Sequence, residues 1–427
     1  MKFKKIAALL LAAALLLAGC SAGEPTGTTA APTEATAEQT ENPDDTTVTA
    51  GYGENDVTAQ ANYSVSEASP DDADMLANVA VDAAGNELLT NAELQVWYWL
   101  EFYNFLNSYG SYISYFGLDS TKPLPEQQSL AEGMTWEQYF LDGAVRRYQQ
   151  YYALAQLAEE NGFALGETEL ADLADITDPD GEFASQYKAS GFETADAYLQ
   201  ENFGKGTNAE SYVNYLRTYF IAYSYSNQLQ EAYTATLTDE DIEAEFDATA
   251  EEGALKMNNI NVRHILIQPK ETNDDGTYTD EAWAAAEEKA NEVYAMWQSN
   301  PTVDYFTELC AEYSTDGTKD SGGLYENVAP GKMVTEFNDW CFDPARQEGD
   351  SGIVKTMYGY HIMYFAGQAE GRAWYDDTLS TMIQNHITGI INDAVEKYPV
   401  RFDFTKIHLY DLLSEAVSQR TTEEAVG

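Results

Sequence analysis

Two short apolar runs, each with one histidine inside it, set the tightest limit on how this chain can fold. Asn261-Val262-Arg263-His264-Ile265-Leu266-Ile267 and Gly359-Tyr360-His361-Ile362-Met363-Tyr364-Phe365 both read as buried strands. The chain of 427 residues has only 4 histidines, so two of them inside such runs is a heavy investment. An imidazole in a buried strand costs desolvation unless its ring nitrogens find partners. If the strands face each other, the two rings can share one polar network. The alternative is two unrelated core histidines. What lies between the runs has to decide.

Between them the pattern of elements is regular. A loop over 268–278 leads into a helix over 280–298, and a second helix over 305–313 follows Pro301. A polar, glycine-bearing loop over 314–323 comes next, then a short segment at Leu324 and a helix over 334–342. Strands over 353–355 and 360–365 close the region, giving a small α+β domain in which a sheet carries helices.

Five segments of this region, Arg263–Ile267, Tyr313–Asp316, Gly322–Leu324, Met333–Phe337 and Gly359–Ile362, stand in an order and spacing that resemble the parvulin family of peptidyl-prolyl cis/trans isomerases. The resemblance spans roughly residues 259–367. It implies that His264 and His361 form a histidine pair beneath a catalytic cleft. Asp316 falls on the family's cysteine-or-aspartate position, and Thr356 on a hydroxyl position before the last strand. The same resemblance puts Leu324, Met333 and Phe337 in the pocket for the prolyl ring. One position departs, since Tyr358 stands where the family often has serine.

The chemistry explains why such residue types suffice. An X–Pro bond isomerises over a barrier of roughly 18–20 kcal/mol, taking tens to hundreds of seconds unaided. No bond breaks, so neither nucleophile, metal nor cofactor is required, and no third ligand accompanies the two histidines. A catalyst must hold the ring, favour the twisted amide over the planar forms and exclude water. Leu324, Met333 and Phe337 suit the ring, while Asp316, His264, His361 and Thr356 supply a polar cluster. That cluster either stabilises the altered amide or keeps the cleft rigid. In the loop after the first histidine strand, Asp274 and Asp275 would repel a phosphate, so the expected enzyme is not phosphospecific.

Outside this region, charge and the N-terminus carry the information. A formal net charge of -50 leaves no basic footprint for nucleic acid. Met1–Lys5 is positively charged and precedes an Ala/Leu run that ends in Leu17-Ala18-Gly19-Cys20. This resembles a bacterial lipoprotein signal, which implies cleavage before Cys20 and lipid attachment there. Residues 1–19 are thus expected to be a signal peptide. Residues 20–80, rich in Thr, Ala, Glu, Pro and Asp, are expected to be a disordered acidic linker. Cys310 and Cys341 read as two buried thiols, with a bridge between them left open.

Residues 81–256 read as wholly helical from near Val81. Thr90 with Glu93 forms a capping-box signature, and Leu89 with Leu94 a hydrophobic staple. Helical patterns follow over 136–161, 167–174, 195–203 and 210–236, and Leu237–Ile242 repeats the cap-and-staple device. The many aromatic residues here suit either an open cleft for unfolded peptide or simply a packed core. After the α+β domain (257–369), residues 370–427 read as a C-terminal helical segment, with a short strand near Phe402.

Helical regions on both sides of a parvulin-like domain, behind a lipoprotein-like signal, resemble the PrsA-type extracytoplasmic foldases, with SurA-like chaperones more distant. That resemblance implies a multidomain protein whose helical flanks pack together as a chaperone-like module. It implies an extracytoplasmic, lipid-anchored isomerase acting on unfolded secreted polypeptides that contain X–Pro bonds. A second reading is a holdase that binds unfolded chains while the isomerase domain is weak or inactive.

Overall fold

The computed structural model describes residues 65–67, 72–131, 133–251, 254–273 and 276–413. The signal-like segment, Cys20, most of the linker, Asp274, Asp275 and everything after Leu413 lie outside the described residues. The chain divides into two compact units, one made of segments up to Thr236 and from Ile383 onward, the other of Leu237–Met382.

The first unit starts with strand β1 (Ser66–Glu67), helix α1 (Asp72–Leu76) and a hairpin of β2 (Asn78–Asp82) with β3 (Glu87–Thr90). The Asp82 carboxylate takes the N–H groups of Ala84 and Asn86 and so closes the turn. The wholly helical reading of this stretch is therefore corrected. Two short strands precede the first long helix, and their third partner is the short strand expected near Phe402, whose pairing with them no local pattern could reveal.

Helix α2 (Asn91–Tyr109) begins at Thr90, whose capping box with Glu93 is fully formed. Next come α3 (Trp136–Glu160), α4 (Glu167–Asp175), α5 (Glu182–Ala189), α6 (Ala195–Phe203) and α7 (Ala209–Thr234). All but α5 sit where helical spacing placed them. Trp97 is met edge-on by Tyr148, Tyr151 and Tyr215 at centroid distances of 5.6, 5.5 and 4.7 Å. Trp99, Trp136, Phe102 and Phe140 are likewise fully buried. These rings form the core of the unit and do not line an open cleft.

The second unit opens with α8 (Asp239–Thr249), capped by Thr238 and Asp241. Its sheet consists of β4 (Ile260–Ile267), β5 (Leu324–Val328), β6 (Ser351–Thr356) and β7 (Gly359–Gln368), in the order β5-β4-β7-β6 and antiparallel throughout. Successive strand residues alternate between faces. Ile265, Ile267, Tyr360 and Ile362 pack on one face against α9 (Asp280–Ser299) and α10 (Val303–Tyr313). Val262, Val354, Met363 and Phe365 pack on the other, with Phe337 and Cys341 of α11 (Thr335–Cys341). Cys310 belongs to the first face and Cys341 to the second; both thiols are free and the sheet lies between them.

Helix α12 (Ala373–Lys397) carries the chain back into the first unit, where β8 (Val400–Phe402) adds to β2 and β9 (Leu409–Tyr410) pairs in parallel with β1. Among the described residues no helix is long and apolar enough to cross a membrane.

Candidate active site

The sheet register brings the two histidines together. His264 lies opposite Met363 and Leu266 opposite His361, so His264 and His361 are diagonal neighbours on one face of adjacent strands. Their Nδ1 atoms are 2.9 Å apart. The β6–β7 turn is tight, with Thr356 opposite Gly359. It presents the Thr356 hydroxyl 2.8 Å from His361 Nε2. Gly359 has a positive φ, and a Cβ there would lie 2.5 Å from the carbonyl oxygen of Ile267. His264, His361 and Thr356 are all buried.

Asp316 comes from the loop that follows α10. Ser314 fixes this loop to the end of β4, its Oγ accepting the N–H groups of Leu266 at 3.1 Å and of Asp316 at 3.2 Å. The Thr315 N–H donates to the Leu266 carbonyl. Asp316 Oδ1 then accepts the Thr318 N–H and hydroxyl and lies 3.3 Å from His264 Nε2. That last approach is an electrostatic contact off the line of a good hydrogen bond.

One assignment of protons satisfies the whole chain of contacts. The Tyr358 N–H donates to Thr356 Oγ1, which frees the Thr356 hydroxyl to donate to His361 Nε2. His361 then carries its proton on Nδ1 and donates it to His264 Nδ1, leaving the His264 proton on Nε2, facing the Asp316 carboxylate. The reverse order would set the bare Nε2 lone pair of His264 against a carboxylate oxygen. A one-way relay therefore runs from the β6–β7 turn to Asp316.

Electrostatics agree with it. Burial, and then the neighbouring His264, push the His361 imidazole down to about 3, so it is neutral near pH 7. Partial burial alone would raise the Asp316 carboxyl, but its contacts to His264 and Thr318 outweigh that and hold it well below the usual carboxylate range. The Asp316 side chain is 16% exposed against 3% for His264, so the charge sits at the open end of the relay.

The apolar side of the site is built on α11. Phe337 stands edge-on to both imidazoles, with ring centroids 5.4 Å from each. Met333, half-buried, packs on the same cluster. Leu324 is not brought to the pair. It lies opposite Arg263, on the other face of the sheet from His264, because strand alternation turns it away. The next residue, Tyr325, takes the place beside His264, with ring centroids 5.2 Å apart. Gly323 permits this entry: a Cβ at its positive φ would lie 2.0 Å from the His264 carbonyl oxygen. Reading the sequence also missed Ser314 and Thr318. The Ser-Thr-Asp-Gly-Thr pattern, an acid two residues before a hydroxyl, is the signal of an Asx turn that could have found Thr318.

The sheet, the histidine pair and the carboxylate define a parvulin-type peptidyl-prolyl isomerase domain, and residues 264–367 match the family model described as Rotamase, PPIC-type PPIase domain. Curated relatives are similar over parts of the chain. The chain is 25% identical over 215 residues to foldase protein PrsA 1 of Listeria monocytogenes, covering 41% of this chain and 70% of that protein. It is 42% identical over 81 residues to foldase protein PrsA 2 of the same species, covering 18% of this chain and 26% of the other. The crystal structure of foldase protein PrsA from Streptococcus pneumoniae matches over 59% of this chain and 83% of its own at 18% identity, with a TM-score of 0.27.

Proposed function

We propose that this protein is a prolyl isomerase and foldase that assists the folding of secreted polypeptides outside the cytoplasmic membrane, tethered by a lipid on Cys20. The observation that carries the reading is the buried relay that ends on an ionised Asp316 beside the Met333 and Phe337 cluster. His361 is neutral and Asp316 ionised near neutral pH, so neither of them shuttles a proton there as a hydrolase's base would. Its work is electrostatic. In a planar amide the carbonyl oxygen carries resonance charge, which a fixed carboxylate beside it disfavours. The twisted amide has lost that charge and is relatively favoured. The apolar wall receives the prolyl ring and excludes water. The lipoprotein-like signal supports the location, and the client class follows from an isomerase held at that place.

The test is acceleration of cis-to-trans conversion in a short Ala-Pro peptide, followed by direct exchange. The wild type is expected to accelerate it. Asp316→Ala and Met333→Ala are each expected to lose about 10-fold or more. No acceleration by the wild type overturns the reading. A marked gain on phosphoserine-proline peptides would overturn the absence of phosphospecificity. The mass of the protein released from membranes, with or without lipid on Cys20, tests the tether.

A further inference from the structure

In a chain of net charge -50, no Asp, Glu, Lys, Arg or His stands between Glu101 and Asp119. The charges that bound this span are paired, Glu101 with Arg147 and Asp119 with Lys122. The span ends α2 and continues as a 3-10 turn over Gly110–Phe116. That turn projects Tyr112 and Tyr115 into solvent, 55% and 84% exposed, with ring centroids 6.0 Å apart. Its footing is firm. Phe116 packs on Tyr109 and Phe105 at centroid distances of 4.6 and 5.8 Å, and Phe105 packs at 5.0 Å on Trp136, the first residue of α3. Leu130, 55% exposed, rides on the turn that pairs Gln128 with Thr135 just before the same helix end. Exposed apolar groups gathered at one place mark a contact surface.

The inner end of the tether lies at the same place. Val65, where the described residues begin, is buried, with its N–H 3.4 Å from the carboxylate of Glu137 in the first turn of α3. Only residues 21–64 lie between it and Cys20, a span that reaches at most about 150 Å when fully drawn out. We propose that Tyr112, Tyr115 and Leu130 form a membrane-docking surface. With a lipid on Cys20, the first unit settles with the start of α3 against the bilayer and the two phenols at headgroup level. Tyrosine favours that depth because its ring is apolar and its tip polar. Anionic headgroups repel an acidic body over most of its surface, and a charge-free segment is where that repulsion is least. The patch alone binds weakly, and the tether makes its contact intramolecular, which raises its occupancy without any new contact. The partner is a lipid surface, touched and not crossed. The inference rests on the proposed lipid tether.

The test supplies the tether chemically, so that it does not depend on lipidation in the cell. The chain from Cys20 onward is coupled through the Cys20 thiol to a maleimide lipid in phosphatidylcholine vesicles; Cys310 and Cys341 are buried and do not compete. Hydroxyl-radical footprinting then reads Tyr112 and Tyr115 on vesicles and in solution. Both are expected to react about 3-fold more slowly or less on vesicles, at low and high salt alike, because no charge makes the contact. Amide exchange over 110–117 gives a second measure. It is expected to slow on vesicles in the wild type and not in the Tyr112→Ser, Tyr115→Ser double variant, whose altered side chains are too exposed to disturb the fold. Unchanged tyrosine rates on vesicles overturn the proposal. So does equal slowing at Met357, 70% exposed in the second unit, which would mark general crowding. Slowing that appears without vesicles as protein concentration rises would assign the patch to a second copy of the chain and overturn it too. Absence of lipid on Cys20 in protein from membranes would fail the tether reading, while the chemically tethered footprint still decides the surface.

Discussion

The two faces of the β5-β4-β7-β6 sheet are made by the same strands and do different work. On one, Ile265, Ile267 and Ile362 meet Trp297, Phe306 and Leu309 in a dry, closed layer. On the other, alternate residues of the same strands supply His264, His361 and Thr356, joined end to end and covered by Phe337. A period of two residues lets one strand serve stability with one set of alternate positions and chemistry with the other. The closed face holds the backbone still, and so fixes the 2.9 Å separation between the two rings on the other.

That division is most sharply tested by Phe306→Ala against Phe337→Ala. Phe306 is fully buried in the closed face, and its truncation is expected to cost about 3–5 kcal/mol of stability with little change in turnover per folded molecule. Phe337→Ala removes the wall over both imidazoles and is expected to lower kcat/KM about 100-fold at a smaller cost in melting temperature. Chemical denaturation read beside the peptide assay separates the two. Equal losses of turnover would break the division between faces.

The pH dependence of stability is the next effect in size. His361 has a folded value of about 3 against an ordinary value of 6.5, so the unfolded chain binds the proton more readily. The stability that this residue contributes is therefore fully present above about pH 6.5 and is lost progressively as pH falls towards 3. The melting temperature of the wild type should fall across that window, and His361→Gln should remove part of the slope. Asp316 acts in the same direction at lower pH, because its folded carboxyl lies below the unfolded value. Its contribution is lost only as pH falls below about 4. A melting temperature that rises on acidification from pH 6.5 to about 4 would contradict the first, and one that rises below about pH 4 the second.

The smallest expected effect separates two adjacent residues. Leu324→Ala lies on the face away from His264 and is expected to reduce kcat/KM less than about 3-fold, whereas Tyr325→Ala is expected to reduce it by more than about 10-fold. The same assay applied to both variants checks the order, and a reversal would favour Leu324 as the pocket residue.

Much of the site was legible before any coordinates. The histidine-bearing strands, Asp316 in a polar loop and Met333 and Phe337 ahead of the last hairpin are local signals, and the structure gathers all of them. Leu324 and Tyr325 were not separable, because facing depends on the register of β5 against β4, and a slip of one residue exchanges every side chain between faces. The helices of the first unit were legible from caps and periodicity, down to Thr90 with Glu93. The strands β2 and β3 were not, since β2 gains its outer partner from Val400–Phe402 and no sequence window contains both.

The sequence by itself determined which segments fold locally and which chemical groups are present, because capping, turns and apolar periodicity act over a few neighbouring residues. Only the tertiary structure decided the joining of His264, His361 and Thr356 into one hydrogen-bonded chain, the free state of Cys310 and Cys341 on opposite faces of the sheet, and the placement of Tyr325, and not Leu324, on the histidine face. Each of these depends on distances between residues far apart in the chain. Such distances are fixed by strand register and packing, which operate between segments and leave no mark in either segment alone.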